Sequence, residues 1–381
     1  MYKRIVYITH GVCTLLFLIF WFCYLYYVQG DLLSMAQHVF SGGKTNYSPL
    51  WGAVIICGLL WLLQIGINWV LHLQSLCFAL SFFPSCLVLA MMTDINPGIF
   101  RQFSLGGWGW LFPLLLIVFV GVVAFIKHLR MPDDFKGGGI FYSLFLPNLI
   151  VVVLFCFCTG ATGNTTDTLQ YTSQVERALT DNKPDRALEV GGKSLAVSPA
   201  LTALRAYALS MKGQMGDKLF TYPQYYAADG LVIMPSDTLG LAFRPEKVYN
   251  HLGVRPSNPR EKVMDYLERA VKSPKVKAPA KDYYLCALLL DKKLSLFAEE
   301  LPKYYRLDEN LPVHYKEALI LYSRLAAHPA YIFHDSVEDA AYEDLLQLED
   351  TYRYPAVRRN YVRREFGATY WYYFKYVQLP S

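Results

Sequence analysis

The stretch IFYSLFLPNLIVVVLFCFC, residues 140–158, marks the boundary between two parts of the chain that differ in composition. It carries no charged residue, and a helix of about 20 such residues crosses a hydrocarbon core of about 30 Å. Apolar runs and short polar loops alternate before it, whereas the chain after it has the polarity of a water-soluble protein. We therefore interpret residues 140–158 as the last membrane span, after which the rest of the chain lies on one side of the bilayer.

Four earlier runs have the same character. They cover residues 5–28, 50–71, 73–92 and 109–126, and none of them contains Asp, Glu, Lys or Arg. The first is too long for a cleaved signal peptide, and a turn at His72 separates the second from the third. The sequence predicts an all-α protein in two parts. Residues 1–159 form a bundle of five transmembrane helices, and residues 160–381 form a soluble α-solenoid of tetratricopeptide-like type.

Composition separates these two halves. Hydrophobic residues make up 54% of the chain and charged residues 18%, below the charged fraction of about 25% that is typical of soluble domains. Residues 1–159 contain seven Lys or Arg and four Asp or Glu, whereas residues 160–381 contain 29 and 27. Neither half has the concentrated positive charge of a nucleic-acid-binding surface, so nucleic acid is not an expected partner. Cys286 is the single cysteine of the second half, which predicts no internal disulfide there.

The positive charges of the short loops predict the orientation. With the N-terminus in the cytoplasm, Lys3, Arg4, Lys127, Arg130 and Lys136 lie inside, and Lys44 and Arg101 lie in the outside loops, residues 29–49 and 93–108. Cytoplasmic loops carry the excess of Lys and Arg. The sequence therefore favours a multi-pass protein of the cell inner membrane, with a cytoplasmic N-terminus and a periplasmic C-terminal domain. A re-entrant hairpin in place of the second and third spans would reverse this orientation.

The second half is predicted to be a series of helices with one long insertion. A small-residue linker occupies residues 159–167. The expected helices cover residues 169–180, 184–197, 199–212, 259–273, 280–290, 294–305, 312–327, 337–352 and 355–376. Residues 214–258 are rich in Gly and Pro but keep apolar residues, a combination that indicates an ordered, functional loop. A short helix is expected within it at residues 245–252.

The order of helix, turn, helix and proline resembles a tetratricopeptide repeat. Ala187 lies where that repeat has a small residue, and Pro199 lies where it has its closing proline. Residues 289–325 follow the same plan a second time. Two such units favour a short α-solenoid.

Three stretches carry a resemblance to a known family. They are LFTYPQ at residues 219–224, LPVHYKEAL at residues 311–319 and TYWYYF at residues 369–374. With them the chain resembles an uncharacterised Gram-negative family of multi-pass inner-membrane proteins with a periplasmic tetratricopeptide-like helical domain. The resemblance implies the topology described above. It implies no activity, no cofactor and no site residues.

The sequence predicts no catalytic, cofactor-binding or metal-ligating residues. His334 and Glu338, with His328 nearby, have the spacing of helix-borne metal ligands. However, Ser336 with Asp339 is typical of a helix cap, which would place His334 before the helix begins. We interpret these residues as a surface group and a cap.

Other isolated polar residues have structural interpretations beside functional ones. Cys286 lies in an apolar helical stretch that is typical of a packed core, and His314 is a candidate general base. In the second span, Gln64 and Asn68 lie four residues apart on one helix face. We expect them to hydrogen-bond to neighbouring helices, with a role in transport as the alternative.

The last predicted helix carries the candidate partner-binding residues. Its positive run is Arg358, Arg359, Arg363 and Arg364, and its aromatic run includes Tyr370, Trp371 and Tyr373. The arginines either pair with the acidic helix at residues 337–352 or form a cationic patch for anionic lipid or a partner. The aromatic residues either complete the core or form a docking surface.

These observations favour a membrane-anchored scaffold or adaptor whose extracytoplasmic helices bind another cell-envelope or membrane protein. The lipid bilayer is the second expected partner, and no cofactor is expected. The alternative is a membrane enzyme or transporter that acts on lipid-linked or cell-envelope material. In that alternative, Asp94, Asn96, Arg101 and His251 would line a polar pocket at the membrane face.

Overall fold

The computed structural model describes residues 2–41, 44–45, 47–73, 75–94, 106–128, 141–163, 166–237 and 243–379. Within these ranges the regular elements are all helices, and the chain divides into two compact units, Met1–Gln170 and Tyr171–Ser381. Among the described residues, five helices are long and apolar enough to cross a membrane. The all-helical class and the five apolar helices are therefore confirmed, and the chain has the character of a membrane protein.

The N-terminal unit is built from the apolar helices. They are α1 (Tyr2–Cys23) with a π-helical turn (Tyr24–Val28), α2 (Gly30–Phe40), α3 (Pro49–Leu71), a 3-10 segment (Ser75–Phe82) that continues as α4 (Phe83–Thr93), α5 (Trp108–His128), and a π-helical turn (Phe141–Phe145) that continues as α6 (Leu146–Thr162). His72 ends α3 in a left-handed conformation with φ 44°, which makes the predicted turn.

The third apolar segment, Ser75–Thr93, is the central one of this unit. About 61% of its apolar window is buried, against 22% or less for the other four. Its eight 3-10 residues and eleven α-helical residues rise by about 2.0 and 1.5 Å each, which gives about 32 Å. The segment is therefore long enough to cross a hydrocarbon core of about 30 Å in spite of its irregular start.

Asn148 of α6 satisfies the backbone of that irregular start. Its side-chain oxygen accepts the N–H of Ala79 at 2.8 Å, and its side-chain nitrogen donates to the carbonyl of Ser75 at 3.1 Å. Cys77, between them, has non-helical dihedral angles. Backbone groups without a helical partner are costly in lipid, so non-helical backbone at this depth has to be buried against protein groups.

The C-terminal unit continues the chain as shorter helices. They are α7 (Asp167–Thr180, which begins before the division), α8 (Pro184–Glu189), α9 (Pro199–Met211), α10 (Met215–Lys218), 3-10 turns at Leu219–Thr221 and Ala227–Gly230, α11 (Glu246–Leu252), α12 (Val263–Val271), α13 (Pro279–Leu290), α14 (Leu294–Glu300) with a 3-10 turn (Leu301–Lys303), α15 (Val313–Leu325), α16 (Ser336–Thr351), α17 (Pro355–Phe366) and α18 (Tyr370–Tyr376).

One continuous hydrophobic core runs through this unit. From α12 to α18 each helix packs against the next, and α18 also packs on α15. The central helix α13 is apolar on all sides, with its residues from Tyr283 to Leu290 buried. The apolar residues 231–234 of the insertion are buried in the same core, so the insertion is part of the folded unit.

Two predictions in the N-terminal half were wrong. The loop predicted at residues 29–49 contains α2, whose Leu32, Leu33 and Met35 are buried. Its apolar residues follow a helical period but are too few to resemble a span. The linker predicted from residue 159 begins only at Gly163, because α6 extends to Thr162.

Three helix boundaries in the C-terminal half also differ. The helix predicted at residues 184–197 ends at Glu189, since Gly191 takes φ +58°, which an L side chain rarely adopts. The helix predicted at residues 355–376 is broken, because the Thr369 side chain accepts the N–H of Tyr372 and starts α18 anew. The cap of α16 is Asp335 rather than Ser336, and it accepts the N–H groups of Val337 and Glu338. The short helix expected in the insertion is confirmed as α11.

Candidate functional site: a cationic cavity in the C-terminal unit

A cavity of about 220 Å³ lies within the C-terminal unit. Three stretches distant in sequence form its walls. They are residues 192–195 after α8, residues 220–225 in the insertion, and a C-terminal wall of Arg363, Gly367, Tyr372, Tyr373 and Val377. The insertion and the C-terminal aromatic segment, which are distant in sequence, therefore meet at one site.

The charge of this cavity has one sign. Lys193 is exposed at its edge and Arg363 is half-buried in its wall, and none of the described lining residues is Asp or Glu. A guanidinium group presents donors in a planar fork that matches a carboxylate or a phosphate. We call this site the cationic cavity, and its chemistry suits an anionic group flanked by aromatic rings.

Tyrosine rings form much of the remaining wall. The Tyr222 hydroxyl donates to the carbonyl of Leu188 at 3.0 Å, and the Tyr373 hydroxyl donates to the carbonyl of Leu290 at 2.6 Å. Because both hydroxyls are used by the protein, these rings are held in place as rigid walls. Tyr225, 40% exposed, lies at the open side.

Arg205 of α9 adds positive charge behind the Tyr222 ring. The Arg205 side chain is buried, its guanidinium carbon lies 5.0 Å from the Tyr222 ring centre, and it donates to the carbonyls of Val190 and Gly191, each at 3.0 Å. Burial lowers the pKa of Arg205. These bonds fix the turn that precedes the 192–195 wall, and so they position Lys193.

A buried polar pair holds the 220–225 wall. The backbone N–H of Phe220 donates to His314 Nε2 at 3.3 Å, so Nε2 acts as the acceptor. His314 Nδ1 therefore carries the hydrogen and donates to Glu317 Oε2 at 2.9 Å. The same carboxylate oxygen accepts the backbone N–H of Tyr370 at 2.7 Å. His314 and Glu317 thus link the insertion to α18, and both histidine nitrogens are occupied by protein groups.

Lys292 fixes the far end of α18. Its Nζ donates to the carbonyls of Phe374 at 2.8 Å and Val377 at 2.6 Å. A cation at these carbonyls interacts favourably with the helix dipole. Burial lowers the pKa of Lys292. Helix α18 is therefore anchored at both of its ends.

The structure gives the four arginines of α17 different surroundings. Arg363 lines the cationic cavity. Arg358 donates to the carbonyls of Tyr352 and Arg353 at the end of α16, at 2.9 and 3.0 Å. Arg359 is exposed, and Arg364 is exposed beside Glu365 at 3.3 Å. Of the four, only Arg363 takes part in the site.

Of the two interpretations of the α17 arginines, ion pairing with α16 is not observed within the ranges that the structure describes. Among the described residues, Arg324 pairs with Glu343 and Lys375 pairs with Glu349, each at 2.7 Å. The cations that face α16 therefore come from α15 and α18. This arrangement leaves Arg363 without a carboxylate partner in the part of the chain that the structure describes.

The three aromatic candidates of α18 are buried. Tyr370 and Trp371 are fully inaccessible, and Trp371 Nε1 donates to the carbonyl of Glu317 at 2.8 Å. These two residues complete the core. Of the three aromatic candidates, Tyr373 alone lines the cavity. The core interpretation of the aromatic run therefore holds for Tyr370 and Trp371.

The four residues of the enzyme or transporter alternative are only partly described. Asp94 accepts the Trp108 Nε1–H at 2.8 Å in the N-terminal unit. His251 in the C-terminal unit lies 2.9 Å from the Ser210 hydroxyl, and burial lowers its pKa. Asn96 and Arg101 lie outside the described residues, as do Arg130 and Lys136 of the orientation argument. The polar pocket at the membrane face stays a prediction.

The remaining candidates have structural surroundings. Cys286 is buried in α13, with its Sγ 3.6 Å from the Tyr315 hydroxyl, and burial raises the pKa of this thiol. His334 is exposed, precedes α16, and lies 3.4 Å from an Asp339 oxygen. Within the described residues, no group of three or more potential metal ligands occurs.

Two residues that the sequence analysis missed shape this site. Arg205 and Lys193 belong to no motif, and an arginine in the apolar helix α9 was the available signal for the first of them.

Comparisons with known proteins identify one similarity. A family model described as "Family of unknown function (DUF6057)" matches residues 257–377. The matched part includes α12 to α18 and the C-terminal wall of the cationic cavity, but neither of the other two walls. No curated protein and no solved structure matches the chain.

Proposed function

We propose that this protein is a membrane-anchored adaptor that binds an acidic segment of another cell-envelope protein in the cationic cavity. The apolar helices of the N-terminal unit hold it in the inner membrane, with the N-terminus in the cytoplasm and the C-terminal unit in the periplasm. The helices α7 to α18 act in this proposal as a short tetratricopeptide-like α-solenoid.

One observation carries the proposal. The cationic cavity combines Arg363 and Lys193 with tyrosine walls and has no acidic residue among its described lining residues. Arginine and tyrosine are the residue types that dominate binding energy at protein interfaces. A carboxylate that enters the cavity meets Arg363 without competition from a carboxylate of the chain itself. A cavity of about 220 Å³ accommodates one or two side chains rather than a drug-sized ligand.

The helical unit supplies the rigidity that such binding needs. Each wall is tied to the core by a hydrogen bond, from Arg205 for the 192–195 wall, to His314 for the 220–225 wall and from Lys292 for the C-terminal wall. Preformed walls reduce the ordering cost of association. The adaptor function thus needs no catalytic group and no cofactor.

Photo-crosslinking in intact cells tests the proposal. A photoreactive amino acid at Tyr225, at the open side of the cavity, is expected to give one discrete product, with the link mapped to an acidic segment of the partner. The double variant Lys193→Glu/Arg363→Glu is expected to reduce this product by about tenfold or more, because it places two carboxylates against the incoming acid.

The matched control is Arg359→Glu/Arg364→Glu. It changes the net charge by the same amount, at two residues of α17 (the helix of Arg363) that do not line the cavity. It is expected to leave the product unchanged. The absence of any product, or a product that survives the cavity variant, contradicts the proposal.

The orientation is tested separately. A reporter that is active only outside the cytoplasm, fused after Ser381, is expected to be active, and one fused before Met1 is expected to be inactive. The opposite pair of results would place the cationic cavity in the cytoplasm and exclude an envelope partner.

A further inference from the structure

One exposed side of helix α17 belongs neither to the cationic cavity nor to the core. Tyr361 and Arg364 lie four and seven residues after Val357, so the three side chains share one side of the helix. Val357 and Tyr361 are 42% and 39% exposed, and Tyr354, which precedes the first turn, is 79% exposed. We call this surface the α17 face, and it consists of the exposed residues Arg353, Tyr354, Val357, Asn360, Tyr361 and Arg364.

The α17 face is cationic. Helix α17 contains four arginines and one glutamate, and the exposed Arg353 precedes it. Arg364 lies 3.3 Å from Glu365, with the two side chains 77% and 54% exposed. An ion pair as open to solvent as this one contributes little, and it occupies one of the five guanidinium N–H donors. Arg364 therefore keeps donors for a further anion.

Tyrosine rings accompany these charges. The Tyr361 ring stacks on the Tyr352 ring, with the ring centres 4.0 Å apart and the planes 8° from parallel. This contact holds Tyr361 beside the arginines. Tyrosine is enriched at the boundary between membrane and water, and arginine with exposed apolar residues is typical of helices that lie flat on a bilayer surface.

We propose that the α17 face binds the headgroup region of an anionic lipid bilayer. Arg353 and Arg364 contact the lipid phosphates, whose oxygens match the planar fork of the guanidinium group. The Tyr354 and Tyr361 rings and Val357 lie among the headgroups. The remaining arginines of α17 add long-range attraction to the negative surface.

The attachment of the chain to the membrane favours lipid as the occupant. The apolar helices keep the C-terminal unit at a bilayer, so lipid is present at high effective concentration and a weak interaction is sufficient. A second copy that docked through the same face would bring identical arginines together, which like-charge repulsion opposes. The inference is independent of the adaptor function, because Lys193 and Arg363 are not part of the α17 face.

The test uses the full-length protein in nanodiscs of phosphatidylcholine alone or of phosphatidylcholine mixed with phosphatidylglycerol. A photoreactive phenylalanine analogue replaces Tyr354, and mass spectrometry detects the peptide that gains the mass of a lipid. About tenfold more lipid adduct is expected in the mixed discs than in the neutral ones. The excess is expected to disappear in about 1 M salt, where the Debye length is about 3 Å.

Two variants of one helix form a matched pair. Arg359 and Arg364 are both exposed, and five residues separate them, which places them about 140° apart around the helix. Only Arg364 belongs to the α17 face. Arg364→Glu is expected to lower the adduct about tenfold and Arg364→Gln about threefold, whereas Arg359→Glu is expected to change it by about twofold at most. Slow alkylation of the buried Cys286 reports that each variant is folded.

Three results would overturn the proposal. They are equal adduct yields in the neutral and the mixed discs, equal loss of adduct in Arg364→Glu and Arg359→Glu, and a product in intact cells that links residue 354 to a protein in place of lipid.

Discussion

Asn148 accepts the backbone N–H of Ala79 at 2.8 Å, although the two residues lie 69 positions apart in the chain. The same side chain donates to the carbonyls of Ser75 at 3.1 Å and Leu144 at 2.8 Å. One amide thereby joins the last apolar helix to the irregular start of the central one. The polar residue in the middle of the decisive apolar stretch is thus part of the membrane fold.

Replacing Asn148 by Leu should destabilise the N-terminal unit by about 3 kcal/mol, because the Ala79 N–H and the Ser75 carbonyl lose their partner in an apolar environment. The free energy of unfolding is measured in mixed detergent micelles. Val153→Leu, at an exposed position of the same helix, serves as the control and should change it little. Equal stability of Asn148→Leu and the parent would refute this role.

Replacing Glu317 by Leu should release α18. The change removes the acceptor of the Tyr370 N–H and of the His314 Nδ1–H. The loss should lower the free energy of opening of α18 by about 2 kcal/mol. The amides of α18 should therefore exchange with solvent about thirtyfold faster. Hydrogen exchange with mass spectrometry measures this rate. Glu317→Gln, which keeps a carbonyl oxygen, should recover part of the protection, and the exposed Glu365→Gln should leave it intact. Unchanged exchange in Glu317→Leu would exclude the anchor.

Asp282 should make the C-terminal unit less stable as the pH rises. Burial raises the pKa of Asp282 above its ordinary 3.8, although the Tyr305 and Tyr315 hydroxyls donate to it at 2.6 and 3.0 Å. The folded state therefore holds the proton more tightly than the unfolded chain. Its stabilising contribution is fully present below the unfolded pKa and is lost as the pH rises through the folded pKa.

Asp282→Asn should remove this loss while keeping an oxygen acceptor for the two tyrosines. The difference in unfolding free energy between variant and parent should shift in favour of the variant as the pH rises above the ordinary pKa of 3.8. Urea titrations at several pH values measure it, and the exposed Asp265→Asn is the control. A constant difference over this range would show that Asp282 does not titrate as described.

Cys286 should resist thiol reagents in the folded protein. Its side chain is 1% exposed, so a thiol reagent cannot reach it. Burial also raises the pKa of the thiol, which keeps it from ionising to the reactive thiolate. Alkylation should be slowed about a hundredfold or more relative to the unfolded chain, as expected for a site that reacts only through opening. Mass spectrometry of the modified peptide measures the rate. Leu325→Cys, at a 58% exposed position, should react rapidly in the same sample. Rapid alkylation of Cys286 would show that α13 is not part of a stable core.

The helices were predictable where one physical signal dominates. Uninterrupted apolar runs predicted α3 and α5, and Pro199 marked the predicted start of α9. The break before α18 was missed, although threonine is a preferred N-cap residue, because whether the Thr369 hydroxyl accepts the Tyr372 N–H depends on the conformation that the chain takes there. The early end of α8 was missed for a similar reason, since a glycine becomes a stop only when the surrounding packing selects its positive φ.

The candidate site was predictable only in fragments. The sequence marked Arg363 and Tyr373 as part of a basic and aromatic run, but it could not distinguish Arg363 from Arg359 and Arg364 on the same helix. Which arginine lines the cationic cavity depends on how α17 packs. Lys193 and Arg205 became relevant only because α9 and the turn before residue 192 meet the insertion in three dimensions.

An apolar helical stretch within residues 140–158 and a polar helical unit after it were predictable from the sequence, because hydrophobic length and charge content are local properties. The position of Asn148 within the span was predictable in the same way. The role of that residue depends on packing, since its partners Ala79 and Ser75 are distant in sequence and a hydrogen bond requires their atoms to meet. The cationic cavity has the same origin. It is formed by side chains that no periodicity connects and that packing alone brings together.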